Sequence, residues 1–206
     1  MTDPLNHVYW IGGGSAAGKS TVARRLADRY GLRVYSTDDE MGEHVRRSTP
    51  ADSPRLHEFM AMDMDERWLR RPPETMLSTF HWYRGEGFDL IADDLRRLPA
   101  GAIAEGFRLL PELVEPLLAD RRHAVWLLPT PEFRRAALER RGSLWTIAGK
   151  TSDPPRALAN LLDRDRMFTD RLAAEVRDRG LTGLEIDLPT TEDEVVGSVA
   201  SVFGLE

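Results

Sequence analysis

The chain has 206 residues, a formal net charge of -6 and no cysteine. That length suits one well-packed α/β domain and is short for two. The acidic balance argues against nucleic acid or an anionic membrane as the main partner, and the missing thiols exclude a disulfide framework, a thiolate metal site and a cysteine nucleophile. Met1 to His7 lacks the basic start and apolar centre of a signal peptide, and no apolar run approaches the ~18 residues of a membrane span, so a cytoplasmic monomer or homodimer is expected.

The first apolar run, Val8 to Ile11, reads as a buried parallel strand. It is followed by Gly13-Gly14-Ser15-Ala16-Ala17-Gly18-Lys19-Ser20 and by an amphipathic helix from Thr21 to Tyr30. The spacing matches the phosphate-binding loop G-x-x-x-x-G-K-[S/T]. Glycines let the backbone curl around a polyphosphate so that several N–H groups point inward at the positive end of a helix. Lys19 would reach the β- and γ-phosphates, and Ser20 would place its hydroxyl on Mg²⁺, a hard cation that keeps several of its own waters. Of the 28 basic residues only Lys19 and Lys150 are lysines, the others being arginines. A lysine kept at this position is the compact point charge that fits between phosphate oxygens, where a planar guanidinium would not. A rival reading uses Gly12 to Ala17 as G-x-G-x-x-[G/A], with Asp38 or Asp39 about 20 residues on as a ribose-binding acid of a dinucleotide fold. It leaves Gly18-Lys19-Ser20 unexplained.

Gly31 ends the first helix, and Leu32 to Tyr35 is the second strand. Its C-terminal end carries Asp38, on the side of an open parallel sheet where ligands bind. Residues 40–84 hold Pro50, Pro54, Pro72 and Pro73 among aromatic and acidic residues, which predicts short helices and loops. Trp68, Phe80, Trp82 and Tyr83 there either contact a substrate or fill a satellite core.

Phe88, Ile91, Leu95 and Leu98 have helical spacing. Ala102 to Ala104 is a third strand ending in Glu105-Gly106-Phe107-Arg108. A helix over Pro111 to Ala119 and a fourth strand over Ala124 to Leu128 follow, then a helix from Pro131 to Arg141. Gly142 to Pro155 reads as a mobile loop. A long helix from about Arg156 to Arg179 buries Leu158, Leu161, Phe168, Leu172 and Val176. Gly183 to Leu188 is a fifth strand, and Thr191 to Glu194 forms a capping box for the last helix. Strands alternating with helices imply a parallel sheet covered on both faces.

This order of parts resembles the P-loop kinases of the nucleoside-monophosphate-kinase type, the superfamily that includes shikimate, gluconate and cytidylate kinases. The likeness is carried by the complete phosphate loop, by Glu105-Gly106-Phe107-Arg108, and by the arginines of a lid-like region from Arg140 to Arg171. The second of these is similar to the Asp-Gly-Phe-Pro-Arg element of adenylate kinases, with Glu105 in place of Asp and no proline. The resemblance implies a three-layer P-loop NTPase fold whose five-stranded sheet has the order 2-3-1-4-5. A single domain over residues 1–206 is expected from the length, with a core of 7–39 and 88–206 and a substrate-binding insertion at 40–87, of which the likeness leaves 40–84 uncovered; the resemblance implies a lid at 140–171. ATP is the donor it implies, with the base near Pro189 and Thr190.

Candidate roles follow from these positions. Residues Gly13 to Thr21 hold the donor phosphates, with Ser20 and Glu105 at Mg²⁺. Asp38 orients the acceptor hydroxyl or takes its proton, against the plainer possibility that it caps the next helix. Arg84 and Arg108 stand on the substrate side, and Arg140 and Arg164 are the catalytic lid cations. Arg166 and Arg171 share the lid helix, although Asp163, Asp165 and Asp170 interleave with its arginines as on a solvated face. The expected activity is ATP- and Mg²⁺-dependent phosphorylation of a hydroxyl on a small-molecule acceptor. A nucleoside-monophosphate kinase, a nucleotide-binding regulatory ATPase and a dinucleotide-binding oxidoreductase are the alternatives.

Overall fold

A computed structural model describes residues 5–99 and 101–205. The reading of Met1 to His7 falls partly on residues 1–4, which lie outside them. Among the described residues the strands form one parallel sheet of order β2-β3-β1-β4-β5. In chain order the first elements are β1 (Val8–Gly13), α1 (Lys19–Tyr30), β2 (Arg33–Ser36), α2 (Met41–Arg47), α3 (Pro54–Ala61), α4 (Pro73–Thr79) and α5 (Phe88–Arg96). They are followed by β3 (Ala102–Glu105), α6 (Pro111–Val114), β4 (Ala124–Pro129), α7 (Pro131–Arg140), α8 (Pro154–Asp178), β5 (Thr182–Ile186) and α9 (Glu192–Phe203). β1 lies between β3 and β4, whereas a dinucleotide-binding fold of order 3-2-1-4-5-6 sets its first strand beside its second.

Alternation along the central strands builds two apolar layers. Ile11, Ile103, Val125 and Leu127 face α1 and α9, where Val22, Leu26, Val199 and Phe203 are buried. Trp10, Ala104 and Trp126 face the other way, toward α5, α8 and the aromatic residues of the insertion. Trp10 and Trp126 have no exposed surface, and the Trp126 indole N–H donates to the Leu109 carbonyl at 2.8 Å, which removes the cost of burying it. Burial of side chains of this size contributes about 1.5–3 kcal/mol each.

Three local readings are refined by the packing. The helix expected over Pro111 to Ala119 stays α-helical only to Val114 and tightens into a 3₁₀ turn at Glu115–Leu117. Pro116 lacks the N–H that an α-turn would need there. The segment after α7 is anchored, with Leu144 and Ala148 buried and Ser152 N–H donating to Asp65 of the insertion at 2.8 Å. The insertion itself is a chain of short helices, a π-turn at Glu66–Arg70 and a 3₁₀ turn at His81–Arg84. Its aromatics join the main core: Tyr83 stacks on Phe168 of α8 with ring centroids 3.7 Å apart, and Phe59, Trp68 and Phe80 meet edge to face or tilted. Among the described residues no helix is long and apolar enough to cross a membrane.

Candidate active site

The phosphate loop leaves β1 at Gly13, paired with Leu127 of β4. A Cβ at Gly13 would sit 2.1 Å from the Leu127 carbonyl oxygen, and its φ of 128° is open to glycine alone. The loop then turns through Ala16, a non-glycine residue at φ 58°, and Gly18 at φ 86° delivers the chain into α1. A left-handed alanine is uncommon and locates backbone strain in the middle of the loop. α8 supports the loop from behind. A Cβ at Gly14 would come within 2.7 Å of the Thr169 hydroxyl, which itself accepts a hydrogen bond from buried Arg134.

Lys19 begins α1 and is 8% exposed. Its Nζ donates to the Gly14 carbonyl at 2.7 Å. Burial holds its pKa below the ordinary lysine value, opposed by the carboxylates of Asp38 and Glu105. Glu105 ends β3, level with Ile11 and Ser36 on the flanking strands, and is 2% exposed. Burial raises its pKa, countered by Lys19 and the Ser20 hydroxyl. Asp38 is exposed on the cleft side of β2. The protein packed around it also lifts its pKa, opposed by Lys19 and Arg108. α2 receives no side-chain cap, so the capping role weighed for Asp38 is absent.

The cleft runs along the loop as adjoining cavities. One of about 400 Å³ is lined by Ala16 to Gly18, Arg140, Leu188 and Thr190 among others. The next, about 460 Å³, is floored by Ser15 to Thr21 and walled by Asp38, Glu105 and Phe107. A third, about 430 Å³, continues past Ser20, Asp38 and Asp39 to Arg24. Lys19, Ser20, Asp38 and Glu105 therefore share one cavity, and Arg140 shares the first with the stretch beside Pro189. Ser20 and Glu105 offer a hydroxyl and a carboxylate, a sparse oxygen set that fits a cation holding most of its waters.

The remaining candidates are distributed differently. Arg141, next to Arg140, lines the first two cavities and lowers the Lys19 pKa by its charge, so it reaches closer to the loop. Arg164 is 6% exposed. Its Nη2 donates to Asp165 at 2.6 Å, its guanidinium lies over Trp68, Phe80 and Tyr83, and it adjoins Ser15 across a cavity of about 110 Å³. Arg171 donates to the Tyr83 carbonyl at 3.0 Å and to Glu175 at 2.6 Å, while Arg166 pairs with Asp163 and Asp170 on the exposed face. Arg84 and Lys150 are exposed.

Arg108 is 2% exposed. Its Nη1 donates to the Thr37 carbonyl at 3.3 Å and to His44 Nδ1 at 2.8 Å, and its Nη2 to the Gly87 carbonyl at 3.4 Å. Burial lowers its pKa to about 10. Sequence reasoning missed Arg24 and His44. Arg24 follows Ser20 by four positions on α1, and the helical repeat would have placed it on the same face near the loop mouth; His44 carries no local signal.

A parallel sheet of this order, with a complete phosphate loop facing two carboxylates at the neighbouring strand ends, defines a P-loop phosphotransferase. No family model matches the chain. It is 30% identical over 200 residues to an adenylate kinase of Thermus thermophilus, covering 94% of this chain and 95% of that protein. It is 32% identical over 107 residues to the adenylate kinase of Pyrococcus abyssi, where the match spans 50% of this chain and 40% of the archaeal protein. Among solved structures, deoxyadenosine kinase from M. mycoides with bound dATP superposes with a TM-score of 0.52 at 10% identity, over 96% of this chain and 99% of that one. The chain belongs to the family of P-loop kinases that contains adenylate kinase.

Proposed function

We propose that the chain transfers the γ-phosphoryl group of ATP to a hydroxyl of a small, unphosphorylated molecule. The observation that carries this reading is the pairing of an open carboxylate, Asp38, with a buried, engaged arginine, Arg108. Phosphoryl transfer needs positioning and charge neutralisation more than covalent help. The loop N–H groups and Lys19 hold the β- and γ-phosphates, Arg140 and Arg141 approach them from the end of α7, and the base occupies the cavity beside Leu188 and Thr190. Mg²⁺, held by Ser20 and through water by Glu105, would neutralise charge on the transferring group. The acceptor oxygen forms its bond to the γ-phosphorus as the bond to the β–γ bridging oxygen breaks. ADP leaves, and the hydroxyl proton passes to Asp38.

Asp38 suits that role because it is near the loop yet has a raised pKa, which brings its basicity toward that of a proton acceptor. Arg108 distinguishes acceptors. A phosphate-bearing acceptor calls for a free guanidinium fork, and this one is spent on Thr37, His44 and Gly87. A nucleoside-monophosphate acceptor is the second reading, favoured by the near full-length similarity to an adenylate kinase.

An ADP-release assay across sugars, nucleosides, polyols and aminoglycosides, with nucleoside monophosphates tested one by one, separates the two. Turnover with a hydroxyl compound that disappears in Lys19→Ala is expected. Turnover with nucleoside monophosphates alone overturns the hydroxyl reading, and tight ATP binding with water as the sole acceptor identifies a regulatory ATPase.

A further inference from the structure

We propose that His44 and Asp94 are positioning residues for phosphoryl transfer, acting through Arg108 to hold the Thr37–Asp38 peptide and so aim the Asp38 carboxylate at the acceptor. The inference rests on the kinase reading, in which Asp38 faces the acceptor.

The end of β2 is fixed from three directions. Thr37 N–H donates to the Glu105 carbonyl at 2.9 Å. Its side chain fills the space beside Gly106, where a Cβ would lie 1.7 Å from the Thr37 hydroxyl oxygen. Its carbonyl, one peptide bond before Asp38, accepts from Arg108 Nη1 at 3.3 Å.

Arg108 is held in turn. The same Nη1 donates to His44 Nδ1 at 2.8 Å, so that nitrogen must carry the lone pair and Nε2 the proton. Nε2 then donates to Asp94 Oδ2 at 2.8 Å. Asp94 Oδ2 also accepts from the Tyr35 hydroxyl at 3.1 Å, and Oδ1 from Arg47 at 2.8 Å. The tautomer of a histidine is set by the partner of its far nitrogen, and here that partner is a carboxylate gripped by two further donors. The groups facing the imidazole are Arg108 from the loop after β3, Asp94 from α5, Tyr35 from β2 and Arg47 from its own helix. Burial favours its neutral form, Asp94 opposes this, and Arg108 reinforces it.

A network that only tied the insertion to the core would have no need to end on the peptide carrying Asp38. The test measures kcat, ATP KM, thermal midpoint and pH profile of the full chain with the acceptor found above. His44→Leu removes the acceptor for Arg108 and should lower kcat by about 10- to 100-fold, the scale of a small misplacement, with ATP KM unchanged. His44→Gln, whose amide offers both an acceptor oxygen and a donor N–H, should recover most of it. Arg108→Met should lower kcat similarly and also move the acid limb to higher pH, because removing a cation beside Asp38 raises its pKa; His44→Leu leaves the limb in place.

Ring ¹⁵N spectra should show the Nε2–H tautomer at His44. The inference is overturned by an Nδ1–H tautomer, by an unmoved kcat in His44→Leu, or by equal losses of kcat and thermal midpoint in the Leu and Gln variants. A wild-type chain that turns over no acceptor defeats the kinase reading and this inference with it, whereas wild-type turnover with an unaffected His44→Leu defeats this inference alone.

Discussion

The donor end of the cleft is shaped by backbone, and the acceptor end by side chains. From Gly13 to Thr21 the ligand-facing surface is a run of N–H groups whose course is set by glycines and by one left-handed alanine, with a single buried cation, Lys19, at its centre. Across the cleft, the position of Asp38 depends on Arg108, His44, Asp94 and Arg47, which come from three separate stretches of chain. A backbone cradle binds whatever carries a polyphosphate, and a side-chain scaffold can be recut for a different acceptor.

Substitutions on the two sides should separate in kind as well as in size. Asp38→Asn is expected to lower kcat by about 10²- to 10⁴-fold with ATP affinity intact, measured by steady-state kinetics beside calorimetric ATP binding. It should also erase the acid limb expected of the wild type above the ordinary aspartate value of 3.8, since the raised pKa keeps the base protonated to higher pH. Lys19→Ala should lower kcat/KM by about 10²- to 10³-fold and weaken ATP binding as well, which Asp38→Asn does not do. Equal effects of the two variants on ATP binding would erase the distinction between the sides.

Smaller effects concern stability. His81 is 1% exposed among Phe59, Phe80 and Trp82, and burial lowers its pKa from 6.5 to about 3. Its folded pKa lies below its unfolded one, so the contribution of the neutral ring is complete above about pH 6.5 and is lost as pH falls toward 3. The slope is up to about 1.4 kcal/mol per pH unit. His81→Leu should flatten that slope in urea unfolding compared at neutral and mildly acidic pH, and an unchanged slope would remove His81 as its cause. On the donor side, Thr191→Ala breaks the capping box of α9 and should cost about 1 kcal/mol, read as a lower urea midpoint with activity retained.

What could be read directly from the residues was local. The phosphate loop, the period-2 and period-3.6 runs and the Thr191–Glu194 box are each settled within a few positions, and each lies where the spacing placed it. The sheet order came from resemblance, because apolar periodicity does not say which strand pairs with which. The interior of residues 40–87 was opaque for a different reason. His44 bonds to Asp94, 50 positions away, and to Arg108, 64 away, and Tyr83 is fixed by Phe168 from the far side of the chain. Such pairings leave no period in the sequence. Arg164 shows the same limit: expected as a catalytic lid cation, it is held inside the packing by Asp165 and three aromatic rings.

The scarcity of lysine has a practical consequence. Of the two side-chain amines in the sequence, Lys19 is shut behind the phosphate loop and Lys150, like Trp145, is exposed in the segment leading into α8. An amine-reactive dye should therefore attach to the side chain of Lys150 in preference to that of Lys19, with no engineered cysteine. Its emission would report whether that segment, anchored here by Ser152 on Asp65, shifts when nucleotide binds.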